Sequence, residues 1–348
     1  MTLTLAPVTP PPTAPRRSAA VSRAGLLLLA LVALVAAGLL SVTFGARDIA
    51  LGDLVAALTG SEANVSQAAV RQRIPRTILA MLVGAALGLA GAVMQGVTRN
   101  PLADPGILGV TTGASLAVVT GIAFFGLASP TGFIWVAIIG AGLAASFVYA
   151  VGSLGRGGAT PLKLALAGAA ISAAFSSLIS AVLLPRIDVM DSFRFWQIGG
   201  VGGASIDKIV TVAPFLLVGA LLCVGTARGL NSLALGDDLA AGLGEHVGLT
   251  RATAAVGAVM LCGAATAVAG PIGFVGLVVP HTCRLLVGSD HRWLLPTSVV
   301  TVAILLTLAD VIGRVVARPS EVDVGIVTAL VGAPVFILIV RRMRARAL

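Results

Sequence analysis

Charge is scarce in this sequence. Of its 348 residues only 11% are Asp, Glu, Lys or Arg, whereas 57% are hydrophobic; an ordinary soluble domain carries about 25% charged residues. A water-soluble enzyme is excluded on that ground. Aromatic residues are also few, at 4%, and although the net charge is +9 the basic residues stand singly between long apolar runs. Nucleic-acid binding needs a basic face with stacking side chains, so nucleic acid is not expected as a partner. Lysine is nearly absent. The two lysines, Lys163 and Lys208, lie outside any G-x-x-x-x-G-K-[ST] pattern, so the chain has no P-loop, and an ATPase that drove it would be another polypeptide. Three cysteines, Cys223, Cys262 and Cys283, fall in or beside apolar stretches, and an odd number cannot form a complete disulfide framework. They read as small apolar packers. No C-x-x-C or H-E-x-x-H pairing exists, and His246, His281 and His291 lack ligand spacing. No metal site and no cofactor bound by this chain are expected.

What the sequence has in abundance is apolar length. A bilayer core of about 30 Å needs about 20 apolar residues per helix. Charges and Pro/Gly clusters divide the chain into ten such segments, near 24–44, 77–97, 108–126, 131–152, 162–184, 209–227, 252–270, 272–287, 294–313 and 324–340. The eighth is the weakest, because Pro271 and Pro280 bracket a short stretch that could be broken or re-entrant. Residues 1–23, with five prolines and Arg16, Arg17 and Arg23, read as a disordered tail. The run that follows is longer than a signal-peptide h-region and lacks a clear A-x-A cleavage site, so it reads as the first membrane helix. The fold class expected is an all-α polytopic membrane protein with a transmembrane domain over 24–342 and a short basic tail at 343–348.

An even number of spans puts both termini on one side. Arg16, Arg17 and Arg23 at one end and Arg341, Arg342, Arg344 and Arg346 at the other identify that side as cytoplasmic. With the spans so drawn, the whole positive excess falls on the cytoplasmic face and the outer face is neutral.

Small residues at four-residue spacing, Gly84 and Gly88, then Gly140 and Ala144, are a packing signature for close helices. Val83–Leu87 weakly resembles Val256–Met260, as an inverted repeat would. Ser172, Ser176 and Ser180 put three hydroxyls on one helical face and are candidates to line a polar passage. Asp188 and Asp191 form a lone D-x-x-D in an outer loop, better read as solvated than as a magnesium site. The longest polar stretch between cytoplasmic helix ends is 229–251. Within it Asp237 to Leu243 reads as a short amphipathic helix, with Asp237 and Asp238 at its positive end after Gly236 and with Gly244 closing it. In a transporter without its own motor, such a helix is the natural contact for one.

Several motifs, in order, closely resemble the permease family of iron-siderophore and cobalamin ABC importers (FecCD-type). They are Arg73-Ile74-Pro75-Arg76-Thr77, Gly84 to Leu87, Gly91 to Gln95, Arg99 to Pro105, Leu108-Gly109-Val110 and Gly113-Ala114, then Gly270 to His281 and Pro334-Val335-Phe336. The likeness covers about 24–342. It implies a type II ABC importer permease, a homodimer or paralogue heterodimer of ten-helix subunits in the plasma membrane with the pathway on the dimer axis. Two cytoplasmic ABC ATPase subunits, holding ATP and magnesium, and an extracytoplasmic substrate-binding protein are the implied partners. Carried over by motif, Arg73, Arg76 and Arg314 resemble the outer arginines that dock acidic residues of the binding protein. Against that stands an internal pairing of Arg314 with Asp310 at i, i+4, and a merely snorkelling Arg76. Asn100, Pro101 and Leu102 resemble the loop narrowing the cytoplasmic mouth; Thr160, Pro161 and Leu162 are similar in position to a second gate but match it poorly in residues. The fifth helix lines the pathway in that family, which favours the passage reading of Ser172, Ser176 and Ser180. The stretch Gly236, Asp237, Asp238, Leu239, Ala240, Ala241, Gly242, Leu243 and Gly244 corresponds to its coupling helix.

The expected function is therefore transport without covalent chemistry, of a ferric siderophore or else haem or cobalamin. An ion-coupled secondary transporter is the alternative, but it needs a titratable group at mid-membrane, and none is visible, Asp310 lying near the outer end. An intramembrane transferase would rest on Asp188 and Asp191.

Overall fold

In a computed structural model the described residues are 16–47, 50–60, 64–155 and 160–346, and among them the secondary structure is entirely helical. In chain order the helices are α1 (Arg16–Thr43), α2 (Leu51–Leu58), α3 (Val65–Thr98), a 3-10 turn (Pro105–Leu108), α4 (Val110–Phe125), α5 (Pro130–Gly152), α6 (Pro161–Leu183), α7 (Ile187–Gln197), α8 (Ile206–Gly225), α9 (Ala227–Leu233), α10 (Asp237–Gly242), α11 (Val247–Ala269), α12 (Val275–Val287), α13 (His291–Val316) and α14 (Val324–Arg346). Seven of these, α1, α3, α5, α6, α8, α11 and α13, are long and apolar enough to cross a membrane, and α4, α12 and α14 are shorter apolar helices. Together they fall where the sequence divides into ten apolar segments.

Local chemistry sets the helix ends. The side chains of Asn64, Ser129, Thr160 and Ser205 each accept a hydrogen bond from the backbone N–H three residues on, satisfying a donor that has no intrahelical partner. Pro130 and Pro161 occupy first-turn positions where a missing N–H costs nothing. In the left-handed region at φ 62°, Gly126 stops α4.

α3 lies at the centre, buried along most of its length between α13, α11, α12 and α1. Its glycines permit this. A methyl group on Gly84 would sit 2.7 Å from the Val302 carbonyl oxygen, and one on Gly88 would sit 2.6 Å from that of Ser298. Gly91 lies against the Gly276 backbone of α12 in the same way. Gly140 and Ala144 of α5 face Gly113 of α4, so both small-residue pairs seen in the sequence are helix contacts.

The structure corrects several boundaries. α1 begins at Arg16, so 16–23 continues the first helix; residues 1–15 of the proposed tail lie outside the described residues, as do 347–348 of the basic C-terminal tail, whose earlier residues are helical in α14. α3 begins at Val65, twelve residues before the expected start, which makes it about 50 Å long at 1.5 Å per residue and places Arg73 and Arg76 inside a helix. The stretch 229–251 is mostly helix, with Gly229, Leu230 and Leu233 of α9 buried. Asp188 and Asp191 stand on α7 rather than in a loop. α12 has 13 residues and reaches about 20 Å, too short to cross alone; its approach runs through Phe274 at φ 67°.

Candidate functional site

The two ends of the bundle carry different chemistry. At one end the last turn of α1 exposes carbonyl groups with no intrahelical donor. Two guanidiniums cover them. Arg73 donates from Nη1 to the Thr43 and Val42 carbonyls at 2.7 and 3.2 Å and from Nη2 to that of Arg47 at 2.8 Å. Arg314 donates from Nη1 to the Ser41 and Phe44 carbonyls at 3.0 Å and from Nη2 to Ser41 Oγ at 2.7 Å. A cation at a helix C-terminus also meets the negative end of the helix dipole.

The same end holds a buried ion-pair triad. Asp310 is 1% exposed; its Oδ1 accepts from Arg76 Nε at 3.0 Å and Nη2 at 2.8 Å, and its Oδ2 lies 2.9 Å from Arg314 Nη2. Arg76 also donates to Glu321 Oε2 at 2.6 Å. Arg73 and Arg76 sit three residues apart on one face of α3, Arg73 reaching the end of α1 and Arg76 reaching Asp310 of α13. All three sequence-selected arginines thus converge, but each is engaged within the chain, and the i, i+4 pairing of Arg314 with Asp310 is present. Arg76 is held by two carboxylates rather than snorkelling. Between them lies a polar depression of about 190 Å³ lined by Arg47, Arg73, Arg76, Arg314, Gln72 and Glu321. Arg47 is exposed and was not singled out in the sequence; its signal is its place in the segment directly after α1.

At the opposite end α3 stops at Arg99, a non-glycine residue in the left-handed region at φ 50°. Asn100 Oδ1 accepts from Leu102 N at 3.0 Å, and its carbonyl accepts from Ala103 N at 3.1 Å. Asn100, Pro101 and Leu102 therefore form a tight, self-bonded turn. Asp104 Oδ1 then caps the 3-10 turn at Gly106 N, 2.8 Å away. Its other oxygen faces Gly276 of α12, which also lies against the Leu87 carbonyl of α3. Thr160 and Pro161 are the cap and first residue of α6, and Leu162 is exposed.

On this same end α10 lies between α9 and α11. Ala240 is buried, whereas Leu239 and Leu243 are 62% and 68% exposed, as is Leu235 just before it. Gly236 at φ 116° and Gly244 at φ 85° make the sharp turns that bound the helix, and Leu243 is its C-cap rather than part of it. Asp237 pairs with Arg251 of α11 through two bonds of 2.9 Å and with Arg99.

Ser172 is half-buried and accepts from Thr112 Oγ1 at 3.2 Å, while Ser176 and Ser180 are exposed. Ser177, Ala173 and Ala174 are exposed beside them; the four-residue stripe in the sequence missed Ser177 because it lies one position off. Apart from Leu178, which is 53% exposed, the exposed side chains from Ala169 to Ser180 are small, being alanines and serines, unlike the leucine-rich exposed face of α1. Among the described residues no group of three or more His, Cys, Asp or Glu side chains could hold a metal ion.

The pattern of the FecCD transport family matches residues 33–342. The chain is 46% identical over 270 residues to the probable siderophore transport system permease protein YfiZ of Bacillus subtilis (strain 168), covering 78% of this chain and 81% of that one. It is 44% identical over 331 residues to the ferric enterobactin transport system permease protein FepD of Escherichia coli (strain K12), covering 93% and 97%. A solved structure described as an inward-facing conformation of a metal-chelate type ABC transporter superposes with a TM-score of 0.80 at 29% identity, over 92% of this chain and 99% of that chain.

Proposed function

The chain belongs to the FecCD transport family, and on that premise we propose that it is the membrane-spanning permease subunit of an ATP-binding-cassette importer that brings a ferric siderophore into the cytoplasm. It is a multi-pass membrane protein, and the related chains are named as transport permeases, not enzymes. ATP and magnesium belong to two partner ATPase subunits, and a binding protein delivers the chelate from outside. In this reading the Arg314 end faces outward and the Arg99 end faces the cytoplasm, in keeping with the arginines at both chain termini.

The observation that carries the reading is α10. A six-residue helix that leaves Leu239 and its C-cap Leu243 exposed at a bundle end offers an apolar ridge that none of the described residues covers, and an ATPase groove would bury it. The small polar face of α6 argues for a second permease subunit. Lipid tails are best met by the leucines and valines of α1, whereas Ala173, Ser176, Ser177 and Ser180 suit close backbone approach or a wet passage. The turn at Asn100, Pro101 and Leu102 supplies the cytoplasmic gate, and the start of α6 at Thr160, Pro161 and Leu162 flanks it.

Docking of the binding protein falls on the depression at the Arg314 end. Because Arg73 and Arg314 already cap α1, the part open to an acidic side chain is the rim formed by Arg47 and the outer edge of Arg76.

The test is reconstitution in liposomes with ATPase and binding-protein partners, following labelled ferric siderophore, ferric citrate, haem and cobalamin. Uptake of a ferric siderophore that needs both ATP and the ATPase is expected. Uptake driven by an ion gradient without the ATPase would instead indicate a secondary transporter and direct attention to Asp104.

A further inference from the structure

The Asp237 carboxylate joins three segments that are far apart in sequence. Oδ1 accepts from Arg251 Nη2 and Oδ2 from Arg251 Nη1, both at 2.9 Å, a parallel fork that fixes the plane of the carboxylate. Oδ1 also accepts from Arg99 Nη2. Arg251 lies in the second turn of α11, Asp237 opens α10, and Arg99 ends α3. All three side chains are between a quarter and a half exposed, and exposed ion pairs contribute little to stability. Their value is positional.

What Arg99 is attached to gives the position its meaning. Arg99 holds the left-handed conformation that turns the chain out of α3, and within three residues the chain reaches Leu102 through the turn bonded by Asn100. The turn is stiff, because Asn100 supplies both a side-chain and a backbone acceptor to it and Pro101 lacks a free φ. A displacement of α10 that carries Asp237 therefore pulls on the guanidinium at the root of the Asn100 to Leu102 turn. The fork to Arg251 keeps the carboxylate from rotating out of that alignment.

Building on the coupling and gating roles proposed above, we propose that Asp237 is a positioning residue for transport: it bridges the coupling helix to the cytoplasmic gate through Arg99, so that movement of α10 reaches the 100–102 turn directly rather than only through the helices flanking it.

The experiment uses the complete transporter carrying Leu102→Cys and measures the rate at which a membrane-impermeant thiol reagent labels that position, with and without a non-hydrolysable ATP analogue. The native cysteines are all buried, and the parent protein without Leu102→Cys gives the background. In the Leu102→Cys transporter the analogue is expected to change labelling by about tenfold or more. In Asp237→Asn and in Arg99→Gln, which leaves the Asp237–Arg251 fork in place, the change is expected to fall below twofold, and the double variant is expected to be no worse than either. Asp237→Glu should restore part of the response.

Retention of the full nucleotide response in both assembled single variants would overturn the bridge. Failure of both to assemble with the ATPase would also overturn it, assigning the residues a structural role alone. A Leu102→Cys transporter with no nucleotide response at all would instead overturn the gate and coupling assignments on which the bridge rests.

Discussion

Arg76 lies in fork geometry on Asp310, with Nε 3.0 Å and Nη2 2.8 Å from the same oxygen, although 234 residues separate the two. The pair joins the first half of the chain to the second, α3 to α13. With Arg314 on the other oxygen, the carboxylate neutralises one of two guanidiniums buried beside it, and Glu321 meets Arg76 from the third side.

Asp310→Asn leaves those guanidiniums facing each other without the charge between them. Breaking a buried pair on one side costs about 3–5 kcal/mol, so the detergent-solubilised permease should lose most of its thermal stability. An unchanged unfolding midpoint would mean that water reaches this end far more than the 1% exposure of Asp310 allows.

Arg47→Glu should act on a different property. Arg47 lines the depression yet is exposed, so reversal of its charge should weaken binding-protein affinity about tenfold, roughly 1.4 kcal/mol, with the unfolding midpoint unmoved. Charge reversal at Arg314 would confuse the two effects, because it also strips the cap from α1. Titration of the binding protein onto permease in nanodiscs separates them, and equal affinity for the Arg47→Glu variant would remove Arg47 from the docking rim.

Gly88→Val drives a branched side chain into the Ser298 carbonyl, 2.6 Å from where a Cβ would stand. Overpacking of this kind costs about 1–3 kcal/mol. Gly142→Val is the matched control, since nothing lies within 4 Å of its Cβ position. The first should reduce yield and thermal midpoint in membranes; the second should match the parent. Equal behaviour would contradict the α3–α13 contact.

The bridge at Asp237 should be insensitive to pH through the neutral range. Slight burial pushes its carboxyl up, but hydrogen bonds and charge from Arg251, then Arg99, outweigh burial and hold it below the usual carboxylate range. A depressed value in the folded state means the stabilising contribution is whole above the unfolded carboxylate pKa of about 3.9 and lost only as pH falls through the folded one. The ratio of Leu102→Cys labelling rates with and without nucleotide should therefore be the same from about pH 5.5 to 8, although both rates rise with pH as the thiol ionises. A midpoint near pH 6–7 would implicate a histidine in place of Asp237.

Composition and apolar length were sufficient for the class of this protein. They locate ten apolar segments because a bilayer imposes one length on every helix that crosses it, and that requirement is local. The amphipathic α10 was legible for a similar reason: glycines at 236 and 244 and acids at 237 and 238 are end signals that act on their nearest neighbours. Glycine spacing likewise announced close packing, since only small residues allow it.

Only the local pairing of Arg314 with Asp310 was legible, at i, i+4; long-range pairing was not. Nothing near Arg76 in the sequence points to Asp310, nothing near Arg99 points to Asp237, and Arg73 gives no sign that it caps the end of α1. Each of these depends on which helix ends meet after the bundle closes, and long-range contact leaves no periodicity to read. Position in the bundle also decided that Arg314 is a buried cap and counter-ion, whereas Arg47, an exposed charge in the segment after α1, stands at the rim. The sequence determined which residues the membrane would hold and roughly where the chain turns. Tertiary structure alone decided what each charge faces across helices, because such an ion pair forms by distance in space and not along the chain.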